Sequence, residues 1–296
     1  ATGDVKASAT AASAKAYVGG LVGYNDKGTI TNSYATGDVS ATSFDDHAYV
    51  GGLVGYNRGT ITNSYATGDV SVTASSSKAY TGGLVGYNYY SEIANSYAMG
   101  NVSATSSNDN ADAYAGGLVG YNYNSGISNS YAMGDVSATS SDDNADAYAG
   151  GLVGYNDRGT IANSYATGNV SATSFNVVAN AGGLVGYNIG EIMNCYATGD
   201  VSATVSQKYY AYVGGLVGYN NDQDAIQNCY RYSNQIFSWR AGLTTVERAT
   251  NALGTAKDLE TLKSLSFHAS MLGWDSTVWN IVEGEFPTLK NVGVIR

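Results

Sequence analysis

Two acidic loops hold the side chains whose spacing comes nearest to a metal site. One loop contains Asp109 and Asp112, and a second contains Asp142, Asp143 and Asp146. Closely spaced carboxylate oxygens are the ligands that Ca²⁺ prefers. Their spacing matches neither an EF-hand loop nor the Gly-Gly-x-Gly-x-Asp nonapeptide. The sequence therefore leaves two interpretations, a calcium site of another geometry or solvated loops, and it predicts no other cofactor.

Tyrosines at regular spacing form a second set of candidate functional side chains. They recur in three rows, and three rows could hardly all fit a narrow core, so we expect at least one row to face solvent. An exposed row would offer flat apolar surface with a hydroxyl at its edge, which suits a glycan ring or a protein partner. The alternative is internal packing of every row. The candidate ligand-binding residues are Tyr49, Tyr80, Tyr114 and Tyr148.

The two cysteines occupy one repeated position. Cys195 and Cys229 stand where the five earlier copies carry serine. If successive repeats stack as parallel strands about 4.8 Å apart, the two Cα atoms fall within the range of a disulfide. A disulfide and a pair of small buried thiols are both compatible with this spacing.

Catalytic groups are scarce. His47 and His268 are the only histidines, and neither H-E-x-x-H nor G-x-S-x-G occurs in the sequence. Well-placed polar residues recur in nearly every repeat, whereas an active site is a single constellation. We therefore predict no catalytic residues and no enzymatic activity. A carboxylate pair in a groove, as in polysaccharide lyases and hydrolases, is the alternative.

Paired hydroxyls give a more distant interpretation. Ser40 and Thr42 are two residues apart, so both side chains lie on one face of a strand, and the pair recurs in five later repeats. Two parallel hydroxyl rows resemble the threonine arrays of ice-binding solenoids, although serine lacks the methyl group.

All of these rows result from one internal repeat. The heptapeptide GGLVGYN occurs seven times without substitution, at spacings of 32, 31, 34, 34, 32 and 32 residues. Each copy is followed by a variant of I-x-N-S-Y-A-x-G-D-V-S-A-T, which contains short alternating runs typical of strands. The period predicts an all-β, parallel β-solenoid of about seven coils of roughly 32 residues, each with about three short strands. Right-handed winding is the default for parallel crossovers. Asn32 fits either an inward-facing ladder or a bend between strands.

Composition excludes several classes of protein. The net charge is −10 and the pI is near 4.5, with no basic run that could neutralise phosphates, which argues against nucleic acid and anionic membranes as partners. No apolar stretch approaches 18 residues, so no membrane insertion is expected. Residues 1–5 match the end of a repeat, as in residues 35–39, which predicts a piece of a longer array.

The last part of the chain differs from the repeats. All three tryptophans and the single proline lie beyond residue 230. We therefore divide the chain into a solenoid, residues 1–230, and a small mixed α/β cap, residues 231–296. Thr255 and Asp258 predict the start of a capped helix of about ten residues, and residues 278–282 and 286–289 are predicted strands. Such a cap would shield the apolar end of the last coil.

The block GGLVGYN followed by I-x-N-S-Y-A-T-G-x-V closely resembles the GLUG repeat of large bacterial surface and secreted proteins. The likeness runs from residue 1 to about residue 230, and the tail with LGWDSTVWNI resembles the segment that often closes such arrays. The resemblance implies an extracellular or cell-surface location. Some relatives are immunoglobulin A peptidases of the zinc-metalloprotease type, whose zinc motif is absent from this sequence.

The sequence thus predicts a non-catalytic extracellular repeat domain of a bacterial surface protein, acting as an adhesin or stalk. The expected partners are a host or matrix glycan or protein, or other copies of the chain. The main alternative is a carbohydrate-binding or carbohydrate-processing β-helix protein, and ice binding is the third interpretation.

Overall fold

The computed structural model describes residues 1–10, 14–44, 46–107, 111–206, 210–221, 225–241 and 254–293. Each repeat forms one coil of a solenoid, and we number the coils 1 to 7 by their GGLVGYN segments. Every coil contributes one strand to each of five parallel sheets that run the length of the array. The predicted all-β parallel solenoid is confirmed.

The five sheets are numbered in the order in which the chain first enters them. Sheet 1 consists of Val5–Ala9, Val39–Ser43, Val70–Ala74, Val102–Ser106, Val136–Ser140, Val170–Ser174, Val201–Val205 and Phe237–Ala241. Sheet 2 consists of Ala16–Gly19, Ala48–Gly51, Ala79–Gly82, Ala113–Gly116, Ala147–Gly150, Ala179–Gly182 and Ala211–Gly214. Sheet 3 consists of Val22–Asn25, Val54–Asn57, Val85–Tyr89, Val119–Tyr123, Val153–Asp157, Val185–Asn188 and Val217–Asn220. Sheet 4 consists of Thr29–Thr31, Thr60–Thr62, Glu92–Ala94, Gly126–Ser128, Thr160–Ala162, Glu191–Met193 and Ile226–Gln227. Sheet 5 consists of Tyr34–Ala35, Tyr65–Ala66, Tyr97–Ala98, Tyr131–Ala132, Tyr165–Ala166, Tyr196–Ala197, Tyr230–Tyr232 and Thr255–Lys257.

Five strands per coil replace the three that the sequence predicts, because two bends divide what reads as longer strands. Between sheets 2 and 3 the chain folds back at Gly-Gly-Leu, where a Cβ on Gly51 would overlap the carbonyl oxygen of Val54. Between sheets 4 and 5 the asparagine of I-x-N-S-Y takes a left-handed conformation, with φ of 50° at both Asn32 and Asn63. Asparagine tolerates this region better than most residues. Asn32 therefore lies in a bend between two strands.

Inward-facing side chains form two apolar clusters. Valine and alanine from sheets 1 and 2 make one cluster, and leucine, valine, isoleucine and alanine from sheets 3, 4 and 5 make the other. The leucine of GGLVGYN is fully buried from coil 2 to coil 7. Full burial of one leucine contributes roughly 1.5–3 kcal/mol. The repeat is thus held in register by a core that is itself repeated.

The tail first extends the array and then leaves it. Phe237–Ala241 pairs with Val201–Val205 in sheet 1, and Thr255–Lys257 pairs with Tyr230–Tyr232 in sheet 5. The prediction of a ten-residue helix near Thr255 is therefore wrong, since that segment satisfies an open strand edge instead. The helix spans only Leu259–Leu262 and is capped by the Asp258 carboxylate, which accepts a hydrogen bond from the Thr261 amide.

Beyond Asp258 the chain runs back along the outside of the solenoid. Residues 259–293, which we name the strap, contain the short helix, a π-helical turn Phe267–Met271, and the antiparallel strands Trp279–Asn280 and Thr288–Leu289. The two strands are shorter than predicted. The strap packs on the buried tyrosines of sheet 5 in coils 4 to 7, which are Tyr131, Tyr165, Tyr196 and Tyr230, and the partly buried Tyr65 and Tyr97 of coils 2 and 3 pack against the same cluster.

Several hydrogen bonds fix the strap to the array, and one of 3.4 Å joins His268 Nε2 to the Tyr196 hydroxyl. The Tyr165 hydroxyl donates to the Pro287 carbonyl at 2.6 Å, and the Trp274 indole donates to the Asn194 carbonyl at 3.1 Å. Asn228 donates to the Met271 carbonyl at 2.8 Å. The strap part of the predicted cap is thus joined to the side of the solenoid, while residues 237–241 and 255–257 of the same segment pair with the last strands of the array. In the described part of the chain, no helix has the length and apolar character needed to cross a membrane.

Candidate functional site

The carboxylates of the acidic loops accept hydrogen bonds from nearby backbone amides and tyrosine hydroxyls. Asp112 accepts hydrogen bonds from the Tyr114 hydroxyl at 2.8 Å and the Asp146 amide at 3.0 Å, and it pairs with Lys78 at 2.9 Å. Asp146 accepts from the Tyr148 hydroxyl at 2.7 Å and from the Val178 amide. Burial raises the pKa of Asp146, although these hydrogen bonds oppose the shift.

The other calcium candidates lie nearer to solvent. Asp142 accepts a hydrogen bond from the Asn144 amide at 2.9 Å, and Asp143 is exposed. Asp109 lies outside the described residues. Across the ranges that the structure does describe, no three carboxylate, histidine or cysteine side chains are grouped so that they could hold a metal ion. Calcium binding stays a prediction.

The tyrosine row predicted to bind a ligand is buried. Tyr49, Tyr80, Tyr114 and Tyr148 are only 4–8 % exposed. Successive rings stack at centroid distances of 4.8–5.1 Å, and each is covered by the edge of a sheet 3 tyrosine, as in the Tyr49–Tyr56 pair at 5.4 Å. The expectation that these four rings face solvent is wrong, because the fold between sheets 2 and 3 lays a second row of tyrosines over them.

A buried asparagine ladder uses the amides of the Tyr-Asn pair. Each Nδ2 donates to the Oδ1 of the next coil, from Asn25 to Asn220, at N···O distances of 2.7–2.9 Å. Several members also bond the turn that follows them, as Asn122 does to the Ser125 carbonyl at 3.0 Å. These amides stabilise coil stacking and have little capacity left for a ligand.

The acidic residues of the G-[DN]-V turn form another ladder. The side-chain oxygen of each residue accepts a hydrogen bond from the backbone amide of its equivalent in the next coil, as Asp69 does from Asn101 at 2.7 Å. Asn101 and Asn169 interrupt the run of carboxylates, which reduces repulsion between like charges at strand spacing. One oxygen of each side chain is therefore fixed by the fold.

These turns border an open groove of about 740 Å³ along sheet 1. Its lining repeats in each coil as an Asp or Asn, a valine and a serine. Ser40 and Thr42 and their equivalents face outward as expected, while Val39 and Ala41 face the core. The lining pattern repeats from coil 2 to coil 6, Ile236 and Ser238 line the C-terminal end of the groove, and each of its carboxylates accepts the same ladder hydrogen bond.

Both cysteines are buried free thiols. Cys195 donates to the Met193 carbonyl and Cys229 to the Gln227 carbonyl, each at 3.1 Å. Ser64 makes the same bond to the carbonyl two residues before it, at 2.8 Å. Burial raises the pKa of the Cys195 thiol well above its usual range. The thiols thus replace a serine that has a structural role.

The two histidines lie far apart in the fold. His47 follows sheet 1 in coil 1 and lies edge-on to Tyr49 and Tyr80, and burial lowers its pKa. His268 is buried in the strap beside Tyr196, and burial lowers its pKa to about 4. Neither histidine forms part of a catalytic constellation with the other.

One exposed cluster breaks the repeat, and the rows considered in the sequence did not include it. It consists of Tyr89, Tyr90, Tyr123, Arg58 and Arg158, which we name the tyrosine–arginine patch. Tyr89 stacks on Tyr123 at 5.3 Å, and Tyr90 lies edge-on to both rings at 4.6 and 5.4 Å. The guanidinium of Arg58 lies 5.8 Å from the Tyr89 ring centre, and that of Arg158 lies 5.4 Å from Tyr123. The signal was the variable segment after each Tyr-Asn pair.

A concavity of about 510 Å³ lies beside the patch. Tyr90, Arg58, Glu92 and Asn124 are among its lining residues, together with Gly59 and Gly126. Asp26 pairs with Arg58 at 3.4 Å, and Asp157 pairs with Arg158 at 3.1 Å. The patch is therefore aromatic and polar, with opposite charges close to balance.

Comparison with known proteins identifies the repeat. The family model of the GLUG motif matches residues 16–40, 46–73, 79–103, 111–137, 145–171 and 178–202, which together make up just over half of the chain. A search of curated proteins finds no match. Among solved structures, a candidate immunoglobulin A1 protease from Bacteroides ovatus superimposes with a TM-score of 0.55 at 20% identity, covering 86% of this chain and 77% of that chain. At this identity the likeness shows the fold alone.

Proposed function

This chain belongs to the GLUG motif family, and on that premise we propose that it is a non-catalytic, extracellular repeat segment of a bacterial surface protein. It acts as an adhesin or stalk, holding a binding surface away from the cell. The partner is a glycan or protein of the host or of the surrounding matrix.

One observation carries this proposal. The amides of the asparagine ladder bond one another and the turns between coils, whereas the tyrosine–arginine patch is an exposed and non-repeated group of side chains. A rigid frame with a local departure from its pattern is the arrangement expected of a binding module, because the frame fixes the geometry of the exposed groups.

The carbohydrate-processing alternative is favoured by the groove along sheet 1. Its turns bring Asp69, Asp135 and Asp200 to one side of a long concavity, as a polysaccharide-cleaving solenoid would require. The uniformity of the lining supports the scaffold instead, since catalysis needs one carboxylate with an environment of its own.

Adhesion and turnover separate the two functions. Beads coated with the full chain should be retained on host epithelial cells or on extracted bacterial matrix, while uncoated beads should not. Neutral and acidic polysaccharides incubated with the chain should stay uncleaved, as measured by reducing ends and by absorbance of unsaturated products.

The substitution Asp135→Asn is the matched control for catalysis. Asparagine at the equivalent positions 101 and 169 makes the same ladder bond, so the variant should fold. Polysaccharide cleavage that is present in the original chain and absent in this variant would overturn the scaffold in favour of an enzyme.

A further inference from the structure

We propose that the tyrosine–arginine patch is a glycan-binding site that takes an uncharged pyranose chain. The inference rests on the proposed adhesive function and names its ligand class. It starts from the turn after the Tyr-Asn pair, which has a different length and composition in coils 3 and 4 than in coil 2.

The first observation is the backbone of Tyr90. This residue has φ of 45°, a left-handed conformation that is uncommon for a bulky side chain. Its amide donates to the Tyr123 carbonyl at 3.0 Å, and the next coil places Asn124 at the equivalent position with φ of 44°. Asparagine suits this conformation and tyrosine does not. Lys27 and Arg158 take the same left-handed conformation at the equivalent positions, with φ of 63° and 56°, so the turn itself requires it, and in coil 3 the turn presents a tyrosine that is 59 % exposed.

The second observation is how the ring is oriented. Tyr89 and Tyr123 are half-buried and fix Tyr90 by edge-on contacts. The ring is thus held in place although much of it is open to solvent. A pyranose ring has an apolar face of C–H groups, and a fixed aromatic ring provides the flat surface on which such a face can stack. Little side-chain entropy remains to be lost on binding.

The third observation is the set of polar groups around the concavity. Arg58, Glu92 and Asn124 provide planar donors and acceptors that suit the hydroxyl groups of a sugar. The volume of about 510 Å³ lies within the usual range for small-ligand sites. Its lining residues come from coils 1 to 4, so the concavity runs along the solenoid axis, the direction in which a chain of several sugar units would lie.

Charge decides between neutral and anionic glycans. Lys27, Arg58 and Arg158 supply three positive charges near the patch, and Asp26, Glu92 and Asp157 supply three negative ones. A sulfated or uronic acid polymer would meet these carboxylates as well as the overall charge of −10. An uncharged glycan avoids this repulsion and still uses the same donors and acceptors.

The test uses the full chain with four hexasaccharide probes, of β-1,4-glucose, β-1,4-N-acetylglucosamine, β-1,4-mannose and a heparin fragment, measured by titration calorimetry. At least one neutral probe should bind, and its Kd should change less than twofold between 50 and 300 mM NaCl. The substitution Tyr90→Asn should weaken this binding at least tenfold. Because asparagine is the residue of the next coil, the turn should stay folded, which circular dichroism checks.

Tyr210→Ala is the matched control, since this tyrosine is also exposed but lies in coil 7, and it should leave the Kd unchanged. Binding of the heparin fragment alone, or of no probe, overturns the inference. Neutral binding that survives Tyr90→Asn places the glycan elsewhere and also overturns it.

Cell adhesion separates failure of this inference from failure of the proposed function. Adhesion that persists while no glycan binds leaves the adhesive function standing with a protein as partner. Absence of both adhesion and glycan binding removes the proposed function itself.

Discussion

The tyrosine ladder of sheet 5 has two halves that share a geometry and differ in their cover. Tyr34 stacks on Tyr65 at 5.2 Å in the N-terminal half, and Tyr165 stacks on Tyr196 at 5.0 Å in the C-terminal half. The first pair is half-exposed, whereas the second is fully buried beneath the strap. The spacing of parallel strands therefore sets the stacking, and the strap sets the burial. Tyr65 and Tyr97 pack against the edge of the strap cluster, so the cover decreases toward the N-terminal half while the stacking distance stays nearly constant.

The largest effect should come from disrupting the close backbone packing between coils, which both halves share. A Cβ at Gly117 would overlap the Gly151 carbonyl and meet the Ala132 side chain at 2.8 Å. We expect Gly117→Val to lower the free energy of unfolding by more than about 4 kcal/mol, because backbone on both sides must move. Chemical denaturation measures this loss.

Gly3 is the matched control, since a Cβ there meets nothing within 4 Å. Gly3→Val should change the free energy of unfolding by less than about 0.5 kcal/mol. Equal stability of the two variants would contradict close coil packing.

The next effect should come from opening the strap over the covered half. Trp279 is 1 % exposed, stacks on Trp274 at 4.5 Å and lies against Tyr131 and Tyr165. Trp279→Ala should reduce the stability of the covered half by about 3–5 kcal/mol. Hydrogen exchange should report faster opening of coils 4 to 6 and unchanged opening of coils 1 and 2. Leu265→Ala, at a strap residue that is 51 % exposed, should have little effect. Uniform destabilisation along the array would show that the two halves are one cooperative unit.

High pH should lower the stability of the two halves in different pH ranges, with a smaller effect than the substitutions above. Burial raises the pKa of Tyr97 to about 12 and raises that of Tyr165 well above its usual range. Each raised pKa means that the folded state keeps a proton that the unfolded state loses near pH 10. The stabilisation is thus complete below pH 10 and is lost as the pH rises through the folded pKa. The loss is at most about 1.4 kcal/mol per pH unit for a buried ring, and less where solvent screens the charge.

Absorbance at 295 nm would follow this ionisation. Tyr97→Phe should reduce the absorbance change that occurs before unfolding. Tyr165→Phe should reduce the absorbance change that accompanies unfolding. The comparison of the two halves fails if both substitutions reduce the same absorbance change.

The smallest effect should come from the ladder in which serine is replaced by cysteine toward the C-terminal end. Serine occupies the position before the sheet 5 tyrosine in coils 1 to 5, and cysteine occupies it in coils 6 and 7. Because Cys195 makes the serine-type bond, Cys195→Ser should change the free energy of unfolding by less than about 0.5 kcal/mol under reducing conditions. The reciprocal substitution Ser164→Cys should be equally mild. A loss above 1 kcal/mol would show that the thiols pack in a way serine cannot.

Most of the fold could be predicted from the repeat period, because identical residues at fixed spacing can stack in only one register. Binary alternation also placed Val39 and Ala41 inside and Ser40 and Thr42 outside. The bend at Asn32 depends on a left-handed backbone conformation, which the alternation of apolar and polar residues does not reveal. Thr255 was misassigned because a strand edge far away in sequence outweighs a local helix-start signal.

The candidate site was harder to predict for a physical reason. Whether a tyrosine row is exposed depends on which segment of the chain lies over it. The row that contains Tyr49 and Tyr114 therefore cannot be told from the other tyrosine rows in the sequence. Predictions from repeated residues also miss Tyr90, because tyrosine stands at its turn position in one coil only. In a uniform array, the informative positions are the departures from the pattern.

The hydrogen-bonded register also determines how such a protein can change over evolutionary time. Unequal recombination between near-identical coding segments inserts or deletes whole coils, and each new coil meets the same partners on both sides. One added coil lengthens the rod by about 4.8 Å. Because the hydrogen bonds of the strap join it to coils 5, 6 and 7, coils inserted near the N-terminal end would leave these bonds unchanged. The array can thus be lengthened at its N-terminal end without any change to the hydrogen bonds that join the strap at the other end.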